Sequence, residues 1–193
     1  MNIIIAFIIA YLLGSVSTSI LVCKLAKLPD PRSQGSGNAG ATNMLRFAGK
    51  KLALLTLAGD MLKGVLAVLI ARWIGVMSVE LGIVAFIVFL GHVYPIYFRF
   101  QGGKGVATFL GALLALSPLT GALALITWVV VALVFRYSSL ASIIVALLTP
   151  FYIFVLSNPA YVLGLVLISL LLIWRHRKNI DRLRLRSEPK IGR

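Results

Sequence analysis

Cysteine and acidic side chains are both scarce in this 193-residue chain, with one of the former and five of the latter. The single Cys23 excludes an intramolecular disulfide and a cysteine-based zinc site, and is expected to pack in the core. No Ser/His/Asp triad and no metal-ligand cluster stands out, so neither a metal nor a cofactor is expected. An internal repeat is also missing, as is any low-complexity segment. The missing repeat argues against a small transporter for an organic phosphate, because transporters tend to be built from related halves around a midplane site. Aromatic residues do not interleave with the basic ones to make a stacking platform, so nucleic acid is excluded as a partner.

What the chain has is apolar length. Hydrophobic residues make up 60% of it and the mean hydropathy is +1.01, which reads as an integral membrane protein. Seven apolar stretches occur, at 3–22, 52–71, 78–97, 106–116, 119–135, 139–156 and 160–174. The predicted fold is therefore all-α, a polytopic membrane protein of seven transmembrane helices forming one domain over 1–193. The fourth stretch has 11 residues, about 17 Å of helix, against a hydrocarbon core of about 30 Å. Loop residues that lengthen it, a locally thinned bilayer, or a re-entrant path would each accommodate it.

Net charge is +14, from 19 Lys and Arg. Threading seven spans puts 17 of those 19 on one side, leaving Arg72 on the other and Lys63 within the second span. That asymmetry predicts an outside N-terminus and a cytoplasmic C-terminus. No basic residue precedes the first span, and Lys24 and Lys27 follow it, the reverse of a signal peptide, so an uncleaved helix is expected. The excess charge also suits anionic lipid headgroups.

Two polar stretches fall on the predicted cytoplasmic side. The first, D-P-R-S-Q-G-S-G-N-A-G-A-T-N-M-L-R, runs from Asp30 to Arg46. Gly35, Gly37 and Gly40 allow tight turns, Ser36, Asn38, Thr42 and Asn43 offer hydrogen bonds, and Arg32 and Arg46 bracket the run with fixed charge. A flexible linker needs none of that polar complement. The second stretch, G-H-V-Y-P-I-Y-F-R-F-Q-G-G-K-G-V-A-T, places Gly102, Gly103 and Gly105 around Lys104 at the start of an apolar helix. Glycine amides and a lysine at a helix N-terminus make an anion site. It is not a Walker A loop, because Phe98 and Gly105 stand where that motif needs Gly and Ser or Thr.

Other polar residues read as structural or as substrate contacts. Asp60 and Lys63 are three apart on the second span and share a face, which suits a structural pair. His92, near the inner end of the third span, is expected to satisfy a hydrogen bond there. The turn at 136–142 gathers Arg136, Ser138 and Ser139, with Ser142 as a candidate contact. The tail holds His176, Asn179 and Glu188 among many arginines. His176 and Asp181 also form His-x4-Asp, the signature of the large glycerolipid acyltransferases that use thioester donors. Those enzymes carry the pair in a sizeable cytoplasmic domain, for which this chain has no room, so that match is read as chance.

Taken together, G-S-G-N-A-G-A-T-N-x-x-R at 35–46, G-H-x-x-P through F-Q-G-G-K-G-V-A-T, and R-H-R-x-N-I-x-R-L followed by Glu188 and Lys190 closely resemble the PlsY family of bacterial acyl-phosphate:glycerol-3-phosphate acyltransferases. Two departures are Val16-Ser17, where the family often continues Gly-Ser with x-Pro, and Arg186-Ser187 in place of a glycine. The resemblance implies acyl transfer from acyl phosphate to the 1-hydroxyl of glycerol 3-phosphate, the first step of phospholipid synthesis. It implies essential roles for Ser36 and Arg46, a glycerol 3-phosphate loop at Gly102, Gly103 and Gly105, a requirement for His176 and Asn179, and structural importance for Glu188. It also implies a multi-pass protein of the bacterial cytoplasmic (inner) membrane, with membrane lipids around it, coupled functionally to the enzyme that forms acyl phosphate. Arg46 and Lys104 would hold the two substrate phosphates. Which loop binds which phosphate stays open, as does the base, His176 or a substrate phosphate oxygen.

Overall fold

The computed structural model describes residues 2–192. Its regular elements are helical, with no strand among the described residues. In chain order they are α1 (Asn2–Ser15), α2 (Thr18–Leu25), α3 (Ala41–Phe47), α4 (Gly49–Trp73), α5 (Ser78–Val93), α6 (Val106–Leu116), α7 (Pro118–Phe135), α8 (Ser138–Leu156), α9 (Val162–Arg175) and α10 (Arg177–Arg184). Four helices are long and apolar enough to cross a membrane: α4, α5 with the turn that continues it, α7 and α8. The pairs α1–α2 and α9–α10 raise that number to six if each bent pair is one span.

The first apolar stretch corrects the expectation of one unbroken helix. It is interrupted at Val16-Ser17, and its two pieces are bent by 42°. Ser17 adopts an extended conformation (φ −91°, ψ 102°). The break frees the Val16 carbonyl, which accepts a hydrogen bond from Lys63 Nζ at 2.7 Å. A carbonyl released inside an apolar bundle requires such a partner.

The fourth stretch has the expected bounds and an unexpected setting. Helix α6 lies at the centre, with Phe109 and Leu113 fully buried, and it packs on α4, α5 and α7. Its crossing with α4 needs glycine on both sides. A Cβ at Gly64 would come within 2.8 Å of the Ala112 nitrogen, and one at Gly111 within 2.9 Å of Met61 Cα. So the middle of α6, from Thr108 to Ala112, crosses α4 at Met61 and Gly64, about 18 Å along α4 from its first residue. Its C-terminal end meets the end of α4, where Arg72 Nη2 donates to the Leu116 carbonyl at 3.2 Å. The first residue of α6 precedes that crossing by only a few residues, so the loop before it lies below the start of α4 and α6 is enclosed by protein over its length.

Helices α4 and α7 both pack on α6, which leaves a groove between them. Outward faces of α7 and α8 carry Val130, Leu133, Phe151 and Phe154, each more than half exposed. Apolar surface on that scale suits lipid. Cys23 is buried, with its sulfur 3.5 Å from Met44 Sδ.

Candidate active site

The two polar loops and the tail enclose one cavity of about 660 Å³. Loop one and loop two are tied together where Arg32 Nη1 donates to the Phe98 carbonyl at 3.2 Å. Seven Lys or Arg residues line the cavity against two carboxylates, Asp60 and Glu188. Both carboxylates are already paired, with Lys63 at 2.9 Å and with Arg182 at 2.7 Å. The cavity is thus strongly cationic. Its other end is apolar, lined by Leu54, Leu57 and Met61 of α4, Leu110 of α6, and Leu125, Trp128 and Val129 of α7.

Loop one folds around Asn43. That side chain accepts from the Ser36 amide at 2.9 Å and donates to the Pro31 and Gln34 carbonyls at 2.9 and 3.0 Å. Its side-chain donors are spent on the loop, so Asn43, expected as a substrate contact, is a staple here. Gly35 (φ +54°) sits against it, with only 2.5 Å between an added Cβ and Asn43 Oδ1. The Ser36 side chain and Gly37 are exposed and, with Asn38, line the cavity. Thr42 also lines it, its hydroxyl 3.1 Å from Ser138 Oγ. Arg46, one turn on, is exposed at the rim.

Loop two divides its glycines between two jobs. The Gly102 and Gly103 amides donate to the Val93 and His92 carbonyls at 3.2 and 3.3 Å. They therefore hold the loop onto the end of α5 and are not free for phosphate. Gly103 is close-packed, for a Cβ there would strike the His92 ring and lie 2.7 Å from the Ala39 carbonyl oxygen. Gly105, at φ +82°, turns the chain into α6. It lines the cavity with Val106 and Ala107, where the opening turn of a helix leaves amides unpaired.

The tail fixes Lys104. Its ammonium donates to Asn179 Oδ1. The other end of that amide, Nδ2, donates to Glu188 Oε1 at 2.6 Å. Glu188 also accepts from Ser139 Oγ at 2.7 Å and Arg182 Nε at 2.7 Å. Burial alone would raise the Glu188 carboxyl, but these donors outweigh it and hold its pKa below the usual value. Glu188 thereby orients Asn179 so that its oxygen faces Lys104. The Lys104 ammonium itself is pushed down to about 8, by burial first and then by Arg182, Arg175 and Arg46, against the pull of Glu188.

His176 sits at the bend between α9 and α10, where the two helices turn by 56°. Its Nδ1 is 2.8 Å from the Leu172 carbonyl, which only accepts, so Nδ1 carries the proton and Nε2 a lone pair. Burial, then Lys104, pushes its pKa down to about 4, so the ring is neutral at pH 7. Asp181 is exposed. The partner of His176 Nδ1 is a backbone carbonyl, so the His-x4-Asp spacing has no counterpart in this geometry.

Below the loops lies a buried polar network. Lys63 Nζ is 2.9 Å from both Asp60 Oδ1 and His92 Nδ1. Asp60 and His92 line the cavity, and Lys63 stands behind them. Ser142, expected as a contact, is 2% exposed. Its hydroxyl donates to the Ser138 carbonyl at 2.8 Å and accepts from Trp128 Nε1 at 3.1 Å, so it anchors the groove wall.

Sequence reading passed over Arg175. Its Nη2 reaches toward the Gly102 and Gly103 carbonyls at 3.4 and 3.3 Å, its guanidinium lies over Tyr94, and it lines the cavity. It is the first residue of the tail motif R-H-R-x-N-I-x-R-L, but among so many arginines it was given no role of its own. Arg182, which holds Glu188, belongs to the same motif and was likewise given no role.

Comparison with known proteins follows the same lines. Residues 4–186 match the profile of a family described as glycerol-3-phosphate acyltransferase. A glycerol-3-phosphate acyltransferase of Coxiella burnetii (strain Dugway 5J108-111) is 50% identical over 191 residues, 99% of each chain. Two solved structures of PlsY (YgiH), an integral membrane glycerol 3-phosphate acyltransferase, superpose closely. Its glycerol 3-phosphate form is 40% identical with a TM-score of 0.93, covering 100% of this chain and 96% of that one. Its lysophosphatidic acid form is 38% identical with a TM-score of 0.91, at the same coverage.

Proposed function

This chain belongs to the glycerol-3-phosphate acyltransferase family, and from that premise we propose that it transfers a fatty acyl group from acyl phosphate to the 1-hydroxyl of glycerol 3-phosphate. The products are 1-acylglycerol 3-phosphate and inorganic phosphate. One observation carries this reading: a single cavity joins a cationic end to an apolar groove between α4 and α7. Both substrates carry a phosphate, and one carries a long acyl chain. The cationic end suits the phosphates and the groove suits the chain.

Arg46 and Lys104 hold the two phosphates and offset their repulsion, with Ser36 and the amides at the start of α6 as donors. Unit charges about 4 Å apart repel by about 4 kcal/mol at an effective dielectric of about 20, and two dianions by more. The glycerol hydroxyl attacks the acyl carbon as the bond to phosphate oxygen breaks. The hydroxyl proton ends on the departing phosphate, which leaves as hydrogen phosphate. The His176 Nε2 lone pair orients the hydroxyl. Acyl phosphate is a mixed anhydride with a good leaving group, so placement and charge neutralisation supply much of the rate and no acyl-enzyme forms.

The seven apolar stretches cross or enter the bacterial inner membrane, with the N-terminus outside and the site on the cytoplasmic face. The placement of 17 of 19 basic residues supports this orientation. An enzyme that forms acyl phosphate supplies the donor at that face. Incubation of the purified protein with acyl phosphate, with and without glycerol 3-phosphate, tests the reaction. Phosphate and lysophosphatidic acid should appear in equal amounts, and only when both substrates are present. A stoichiometric burst of phosphate without glycerol 3-phosphate would establish an acyl-enzyme and refute direct transfer.

A further inference from the structure

We propose that His92 is a further substrate-contacting group: a neutral donor whose Nε2–H reaches an anionic oxygen in the cavity, kept in that tautomer by Lys63 and Asp60. This rests on the glycerol 3-phosphate reading of the same cavity.

An ammonium has three N–H bonds, and Lys63 Nζ has three neighbours: the Val16 carbonyl at 2.7 Å, Asp60 Oδ1 at 2.9 Å and His92 Nδ1 at 2.9 Å. The carbonyl and the carboxylate only accept. An ammonium only donates, so His92 Nδ1, hydrogen-bonded to it at 2.9 Å, must offer its lone pair. The side chains of Lys63, Asp60 and His92 are 6%, 2% and 5% exposed, which leaves little room for water to substitute. The Thr108 hydroxyl, 3.2 Å from the same nitrogen, closes the remaining side. A neutral imidazole that accepts at Nδ1 carries its proton on Nε2.

That Nε2–H has no hydrogen-bond acceptor among the described residues, yet it is not sealed from the cavity. The ring edge lies against Gly103, in the loop that carries Lys104, and His92 lines the cavity. An unpaired donor beside a cationic loop is suited to an anion. His176 is the complement, because its proton is held by the Leu172 carbonyl and its Nε2 is a lone pair. The cavity thus has two neutral imidazoles of opposite tautomer. One gives a proton to an oxyanion's hydrogen bond, and the other receives one from a hydroxyl. Lys63 and Asp60 are positioning residues that act through His92.

The chain has only two histidines, so ring-labelled [15N]histidine spectra of the protein in lipid nanodiscs read both directly. His92 should show the Nε2–H tautomer and His176 the Nδ1–H tautomer, with His92→Gln assigning the peaks. Saturating glycerol 3-phosphate should move the His92 Nε2–H resonance. Lys63→Met frees Nδ1 to take the proton and bond Asp60, so the tautomer should invert. Calorimetric affinity for glycerol 3-phosphate should then fall about tenfold, the equivalent of one hydrogen bond to a charged group. His92→Gln keeps a donor near the Nε2 position and should bind within about threefold of wild type. His92→Asn, whose amide ends near Nδ1, should lose about tenfold. A wild-type His92 in the Nδ1–H tautomer, or one unmoved by ligand that shifts His176, would overturn this inference alone. No detectable binding of glycerol 3-phosphate would overturn both this inference and the proposed reaction.

Discussion

Substrate binding should weaken as pH rises through about 8, because Lys104 loses its proton there. The ammonium is buried beside Arg46, Arg175 and Arg182, which lowers its pKa from 10.5 to about 8 when no anion is present. A bound phosphate dianion reverses that shift, so binding and protonation are coupled. At pH 9 about one tenth of the free protein would carry the charge, and affinity for glycerol 3-phosphate should be about tenfold below its plateau. At pH 10 the loss should approach about a hundredfold if the neutral amine contributes nothing. The second ionisation of a phosphate monoester lies near pH ~6, so the ligand's own charge is constant in this range. Ligand-free stability should move the opposite way. The folded pKa is depressed, so the unfolded chain binds more protons between about 8 and 10.5. The Lys104 contribution to stability therefore rises with pH across that window. Lys104→Arg stays charged throughout and should remove the pH step from binding. Calorimetry from pH 7 to pH ~9.5, in buffers of different ionisation enthalpy, reads affinity and proton uptake together. A flat wild-type affinity, or the same slope in Lys104→Arg, would refute the reasoning.

Arg46 is exposed at the rim, so Arg46→Ala should abolish most turnover while changing stability by less than about 0.5 kcal/mol; Arg46→Lys should also lose most activity, for want of the planar fork. Near-normal kinetics in Arg46→Ala would reduce it to a topology charge. Glu188→Gln replaces a carboxylate that accepts from three donors and should cost about 2–3 kcal/mol, seen as a lower Tm together with lower turnover. Gly103→Ala would press on His92 and the Ala39 carbonyl, shifting the loop and raising the KM for glycerol 3-phosphate; an unchanged KM would show that the loop tolerates the methyl. Asp181→Ala should keep most activity, since Asp181 is exposed, and its complete loss would revive the His-x4-Asp chemistry.

Apolar runs and charge made the helices legible, and the polar runs made the site legible. Helix α6 came out with the bounds its apolar run predicted, because those bounds are local: Gly105 before it and Ser117-Pro118 after it. Its central burial depends on the Gly64–Gly111 crossing, a long-range contact with no local mark. The interruption at Val16-Ser17 was equally hidden, since its energetic support comes from Lys63, 47 residues away. Loop one was recognisable as a polar device from its composition. Sequence alone could not tell that Asn43 spends its hydrogen bonds on the loop's own backbone while Ser36 is left exposed in the cavity lining. Nor could it tell that the Gly102 and Gly103 amides bond the end of α5, since a glycine needed for close packing looks like one needed for phosphate.

The identity of the acyl donor tests the central claim most directly. Purified protein, supplied in turn with acyl phosphate, acyl-CoA and acyl carrier protein of one chain length, is assayed for lysophosphatidic acid made from glycerol 3-phosphate. Acyl phosphate alone should support product formation, with one inorganic phosphate released per acyl group transferred. Product from either thioester donor, with none from acyl phosphate, would contradict the account.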